Sequence, residues 1–217
     1  MKYVIFDFNG TIVNDVALSL AAINYTAKKY LKRDEITLEE YGRVFTFPIK
    51  NYYAALGFDF NLVSFEEAGQ CWYDYYCEHQ HEAKLHDGIL ETLIENKKKG
   101  YKNIVISASK SDLLNKQLKD LGVYDLFDEI LGNDNIYASS KVHIGKAFMK
   151  DKNPKDCIMI GDSAHDKEVA DAMGIDCILI ARGHEGKDRL LKVTDKVYDS
   201  IKEVKLWESD NHVMFIS

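Results

Sequence analysis

YVIFDFNGT, residues 3–11, decides how the rest of the chain is read. Four apolar or aromatic residues form a run short enough for a buried strand, and Asp7 ends it. Asn9-Gly10-Thr11 follows, a sequence suited to a turn. The pattern recurs downstream. NIVIS (103–107) leads into Ala108-Ser109-Lys110, and CIMI (157–160) into Gly161-Asp162-Ser163 and Asp166. CILIA (177–181) is a fourth run, while EIL (129–131) and KVY (196–198) are weaker ones. Between them, Ile89, Leu90, Leu93 and Ile94, then Leu113, Leu114, Leu118 and Leu121, repeat at helical spacing, with Gly100 and Gly122 as stops. Such alternation predicts an α/β fold, a Rossmann-like parallel sheet with helices on both faces.

One segment breaks the alternation. From about residue 15 to 84 no strand is evident, and ALSLAAINYTAKKYL and FEEAGQCWYDYYCEHQHEAK read as helices. This stretch is far longer than an ordinary strand-to-helix loop. The expected organisation is a core of residues 1–14 and 85–217 with an inserted α-helical cap, 15–84, over the carboxyl edge of the sheet. Tyr52, Tyr53, Trp72, Tyr73, Tyr75 and Tyr76 are spaced as the insert's own core.

Bulk properties narrow the function. A chain of 217 residues buries roughly 70% of its unfolded surface and needs no cross-links. Net charge is −7, which disfavours a nucleic acid partner. No apolar run reaches the ~20 residues of a membrane span, and Asp7 interrupts the N-terminal run too early for a signal peptide. Cys71, Cys77, Cys157 and Cys177 form no CxxC pair and read as buried thiols. The expectation is a cytoplasmic monomer or weak dimer, with no nucleic acid or membrane partner.

In open α/β sheets ligands bind outside the carboxyl ends of the strands. There the sequence places Asp7, Asn9, Ser107, Asp162 and Asp166, with Lys141 just ahead of CIMI. Carboxylate oxygens suit Mg²⁺, which takes phosphate oxygens as further ligands, while lysine and serine hold the remaining phosphate oxygens. Singly, each residue is ordinary: a strand-end aspartate is often a turn or cap residue, and Asp162-Ser163 can start a helix. The ordered set carries the signal.

That set resembles the haloacid dehalogenase-like (HAD) superfamily of hydrolases. DFNGT is similar to its first motif, DxDGT; VISAS to its second; Lys141 to the third-motif lysine; GDSAHD to the fourth, GDxxxD. HDGILETLIENKKKG resembles a segment of its phosphoglycolate phosphatase and β-phosphoglucomutase group. The resemblance implies a phosphatase that acts on a small phosphorylated metabolite through an aspartyl-phosphate on Asp7. It implies Mg²⁺ on Asp7, the Asn9 carbonyl, Asp162 and Asp166. Ser107, backbone N–H groups near Ala108, and Lys141 would grip the phosphoryl group, and Arg43 or Lys50 of the insert would meet an anionic substrate.

Asn9 departs from the pattern, since relatives use an aspartate there as general acid and base. An amide does neither, and the lost step is worth roughly 10²–10⁴-fold. Two alternatives follow: a phosphonatase-like hydrolase with a lysine from the insert, for which Lys50 is the candidate, or a pseudoenzyme that binds a phosphorylated ligand. His165 reads as a surface residue at a helix end that stands near enough to supply a proton, and Asn14 as a helix cap.

Overall fold

A computed structural model describes residues 1–33, 35–136 and 140–207. Residues 208–217, assigned to the core by sequence, lie outside them. In chain order the elements are β1 (Tyr3–Phe6), β2 (Val13–Asn14), α1 (Val16–Tyr30), α2 (Leu38–Val44), α3 (Ile49–Ala55) and α4 (Phe65–His79). Then come β3 (Lys84–Leu85), α5 (Ile89–Lys98), β4 (Lys102–Lys110), α6 (Ser111–Asp120), β5 (Glu129–Asn133) and α7 (Val142–Phe148). The last are β6 (Cys157–Gly161), α8 (Ala164–Met173), β7 (Asp176–Ile180), α9 (Lys187–Leu190) and β8 (Val197–Tyr198).

Six strands form one parallel sheet in the order β5-β4-β1-β6-β7-β8. Its strands are apolar on both sides because both faces are covered. Val4, Phe6, Val105 and Ile160 join a cluster with Ile89 and Leu93 of α5 and Leu114 and Leu118 of α6. Ile5, Ile104, Ile106 and Met159 point the other way, into a cluster with Val169, Ala170 and Met173 of α8. The period of two in the sequence thus becomes two helical layers.

The chain builds the sheet outward from β1 through β4 to β5, then returns to the other side of β1 for β6. This reversal is the switch point at which α/β sheets open a crevice. Phe6 is level with Val105 and Ile160, so Asp7 emerges between the ends of β4 and β6. EIL and KVY were weak in sequence because they lead the edge strands β5 and β8, which are half-exposed over much of their length. β4 runs past the expected end at Ser107, and its register with β5 slips between Ile106 and Lys110. That irregular end carries Ser107, Ala108 and Ser109.

Helices α1–α4 form between β2 and β3, which pair antiparallel with Asn14 opposite Lys84. The insert therefore leaves and re-enters at one place. It has its own apolar cluster, including Ile23, Ile36, Tyr41, Tyr53 and Leu56. Asn14 does not cap α1; it is exposed in β2, and Asp15 occupies the cap position. Among the described residues no helix is long and apolar enough to cross a membrane.

Leu93 is fully buried where α5 meets the sheet. Leu93→Ala removes its packing and leaves a void, so chemical denaturation should show a loss of about 2–5 kcal/mol.

Candidate active site

Asp7 is fixed by its own backbone, whose N–H donates to the Ile160 carbonyl at 2.9 Å. Its carboxylate, only 8% exposed, pairs through Oδ1 with the ammonium of Lys141. Lys141 stands at the start of α7 and is 2% exposed. It also pairs with Asp166 Oδ1 at 2.6 Å. Burial alone would lower the lysine pKa, but the two carboxylates reverse this and hold it above the usual range.

Asp162 and Asp166 follow β6. Asp162 Oδ1 accepts from the Thr11 hydroxyl at 2.9 Å, and Oδ2 from the His184 N–H at 2.7 Å. A Cβ on Gly10, at φ +75°, or on Gly183 would overlap the Asp162 carboxylate, so both positions require glycine. Asp166 Oδ2 accepts from the N–H groups of Asp162 and Ser163, both at 3.0 Å, and from the Ser163 hydroxyl at 2.7 Å. With Lys141 on Oδ1, both Asp166 oxygens are engaged by the protein.

One oxygen from each of Asp7, Asp162 and Asp166 lies within 4.8 Å of the others, all buried. Burial raises the Asp7 pKa to about 6 against the pull of Lys141, with Asp166 adding to the rise. Burial also holds Asp162 well above the usual carboxylate range against the charge of His184. Protein cations thus leave negative charge under-compensated where hard oxygen donors converge. This donor set fits a divalent cation such as Mg²⁺.

Ser107, 1% exposed, sits on the irregular end of β4, and its hydroxyl accepts from the Ser109 N–H at 3.0 Å. Asp7, Asn9, Ser107, Ala108, Lys141, Asp162 and Asp166 all line one cavity of about 130 Å³. Arg43 does not. It is exposed, as is Lys50, whose ammonium lies 5.2 Å over the Phe60 ring. The buried face of α2 carries Tyr41, and a residue two positions on cannot share it. His165, expected at the surface, is buried and stacked on Phe47 at 4.4 Å. Tyr52, Tyr53, Trp72, Tyr73 and Tyr76 line the cavity; Tyr75 instead stacks on His79.

Asn9 is held at both ends of its amide. Nδ2 donates to Asp15 Oδ2 at 2.7 Å and to the Tyr76 hydroxyl at 3.0 Å. Oδ1 accepts from the Ser109 hydroxyl at 2.7 Å. Asp15 was not evident from sequence. It is 1% exposed and also accepts from the Gly10 N–H at 2.9 Å and the Tyr76 hydroxyl at 2.8 Å. His184 was not evident either: Nε2 lies 3.3 Å from Asp15 Oδ1, and Nδ1 2.7 Å from the Tyr41 hydroxyl. Burial would lower the His184 pKa, yet Asp15 above all lifts it to about 9. Burial works against the Asp15 charge too, but His184 and the hydrogen bonds keep its pKa below normal. A signal existed for each residue: Asp15 closely follows DFNGT, and His184 follows the strand run CILIA.

Comparison with known proteins agrees with this geometry. A Clostridium perfringens protein assigned as pyrophosphatase PpaX is 31% identical over 179 residues, 76% of this chain and 77% of that one. A phosphoglycolate phosphatase of Colwellia psychrerythraea is 31% identical over 112 residues, 49% of each chain. A haloacid dehalogenase-like hydrolase of Streptococcus pneumoniae superposes with a TM-score of 0.75 at 22% identity, over 92% of this chain and 94% of that one. The haloacid dehalogenase-like hydrolase family matches residues 4–180, which span the sheet from β1 to β7 and every carboxylate of the site, and the chain belongs to that family.

Proposed function

We propose that the chain is a Mg²⁺-dependent phosphatase acting on a small phosphorylated metabolite through an aspartyl-phosphate on Asp7. The observation that carries this reading is a buried carboxylate at the switch point, paired with Lys141 and adjoining Asp162. Asp7, Asp162 and the main-chain carbonyl of Asn9 would hold Mg²⁺, which when bound neutralises charge on the phosphoryl oxygens. Lys141 directs the Asp7 carboxylate and offers charge to the transferring group, with Ser107 and the N–H groups near Ala108 opposite. Asp166 fixes Lys141 and the start of α8. Phosphoryl transfer depends mainly on such positioning and charge.

Residues 15–84 act in this reading as a helical cap. Tyr76 reaches Asp15 and Asn9, Tyr41 reaches His184, and Phe47 covers His165. Closure of this kind excludes water and strengthens every charge interaction inside. A phosphonatase would need a lysine from the cap. Among the described residues, the lysines lining the cavity are Lys110 and Lys141, both outside the insert.

Millimolar Mg²⁺ should support phosphate release from a panel of phosphate esters, EDTA should abolish it, and Asp7→Asn should lower it by at least ~10³-fold. Release unaffected by Asp7→Asn refutes the nucleophile, and no release from any ester favours a binding protein.

Asn9→Asp alone would set a second carboxylate against Asp15, across the present 2.7 Å hydrogen bond. Exchanging the pair, Asn9→Asp with Asp15→Asn, keeps one amide facing one carboxylate. The exchanged enzyme should gain about 10²–10⁴-fold in kcat/KM on alkyl phosphates, and the single variant much less. Steady-state kinetics on glycerol phosphate compares the three.

A further inference from the structure

The part of the cavity lining that the insert supplies is largely aromatic. Phe45, Phe47, Tyr52, Phe65, Trp72 and Tyr73 belong to it, and among the described residues no lysine or arginine of the insert joins them. Its polar atoms are mostly taken: the Tyr41 and Tyr76 hydroxyls bond His184 and Asp15, and the Trp72 N–H donates to the Ser19 carbonyl at 3.3 Å.

Size and charge narrow the ligand further. The cavity of about 130 Å³ must hold the phosphoryl group beside Asp7 as well as the leaving group, so the leaving group is small. A pyrophosphate leaving group would bring a second charged phosphate into a cavity whose lysines, among the described residues, are Lys110 and Lys141, neither of them from the aromatic insert. A polyhydroxylated one would bury hydroxyls with too few partners.

Asn9 argues independently against alkoxide leaving groups. With its amide spent on Asp15, Tyr76 and Ser109, position 9 gives the leaving oxygen no proton. Phenols, with a pKa near 10, leave as anions far more readily than alcohols.

We infer that the substrates are aryl phosphate monoesters, a phosphoryl group on a single-ring phenol. This rests on the phosphatase reading of the same site. An Asp7 oxygen bonds to phosphorus while the bond from phosphorus to the phenolic oxygen breaks, its electron pair leaving on the phenolate. Water then attacks phosphorus, and the bond to Asp7 breaks to restore the carboxylate. One water proton stays on inorganic phosphate, and the other reaches the phenolate through solvent.

The test compares kcat/KM for phenyl phosphate, benzyl phosphate, glycerol 3-phosphate, phosphoglycolate and pyrophosphate with Mg²⁺. Phenyl phosphate should exceed glycerol phosphate by about 100-fold or more. Benzyl phosphate, whose leaving group is an alkoxide, should still exceed it by about 10-fold, which isolates recognition of the ring. Trp72→Ala should raise KM for phenyl and benzyl phosphate about 10-fold more than it raises that of glycerol phosphate. Glycerol phosphate, phosphoglycolate or pyrophosphate turned over as well as benzyl phosphate overturns the inference while the phosphatase stands. If nothing releases phosphate, the phosphatase reading fails, and titration calorimetry with phenylphosphonate and methylphosphonate decides. Phenylphosphonate bound about 10-fold more tightly supports the ring site, and equal binding rejects it.

Discussion

The ammonium of Lys141, almost wholly removed from water, pairs at once with Asp7 from the end of β1 and Asp166 from the first turn of α8. Leaving either carboxylate buried without that charge would cost about 3–5 kcal/mol. The same contact joins three parts of the core, because Lys141 starts α7 and α7 packs on α8. Gly145 makes that packing possible, since a Cβ there would press on Met173 and Val169. The orientation of Asp7 and the seating of α7 against α8 therefore share one charge. The Asp162–Ser163 turn depends on it too, because the carboxylate that Lys141 holds accepts from the N–H groups of both residues.

A second buried pair, Asp15 and His184, belongs to the seam between insert and sheet. The core supplies His184, and the insert supplies Asp15, its first residue, and the hydroxyls, Tyr76 to the aspartate and Tyr41 to the imidazole. Such a network is stable only when every member is satisfied, so parting the insert from the sheet would expose or re-pair both charges. Arg189 adds a further tie, donating to the Phe45 carbonyl and pairing with Glu185 at 2.8 Å. The side chain at position 9 meets this seam directly, which connects the chemistry of one residue to the docking of about seventy.

The strands that carry the site were legible because they are buried on both faces. Val4, Ile5 and Phe6 are wholly inaccessible, and a short uninterrupted apolar run ending at a turn is what burial on both faces demands of a strand. Edge strands give up half that signal, so β5 and β8 read faintly. Asp7, Ser107, Lys141, Asp162 and Asp166, which line one cavity, stood out because each is at a strand end or in a spaced motif. Asp15 and His184 were missed for lack of a motif, although both follow from asking what faces the strand ends. Arg43 shows the opposite failure: its charge drew attention, but the buried side of α2 belongs to Tyr41. Tyrosines at helical spacing resemble packing in sequence, and only the fold shows that Tyr52 and Tyr73 also face a cavity.

Asn9 precedes a glycine, the setting in which an asparagine most readily deamidates. The glycine nitrogen attacks the side-chain carbonyl, a succinimide ring closes, and hydrolysis leaves aspartate or isoaspartate. Here the Gly10 N–H is committed twice, to the Val13 carbonyl and to Asp15 Oδ1, each at 2.9 Å. The Asn9 carbonyl oxygen is meanwhile held by Ser109. The native loop holds both reacting groups in hydrogen bonds, a restraint that an unfolded chain lacks. Folding thus preserves the chemical identity of the residue on which the site turns, and the age of a sample held unfolded is written in the mass of this one side chain.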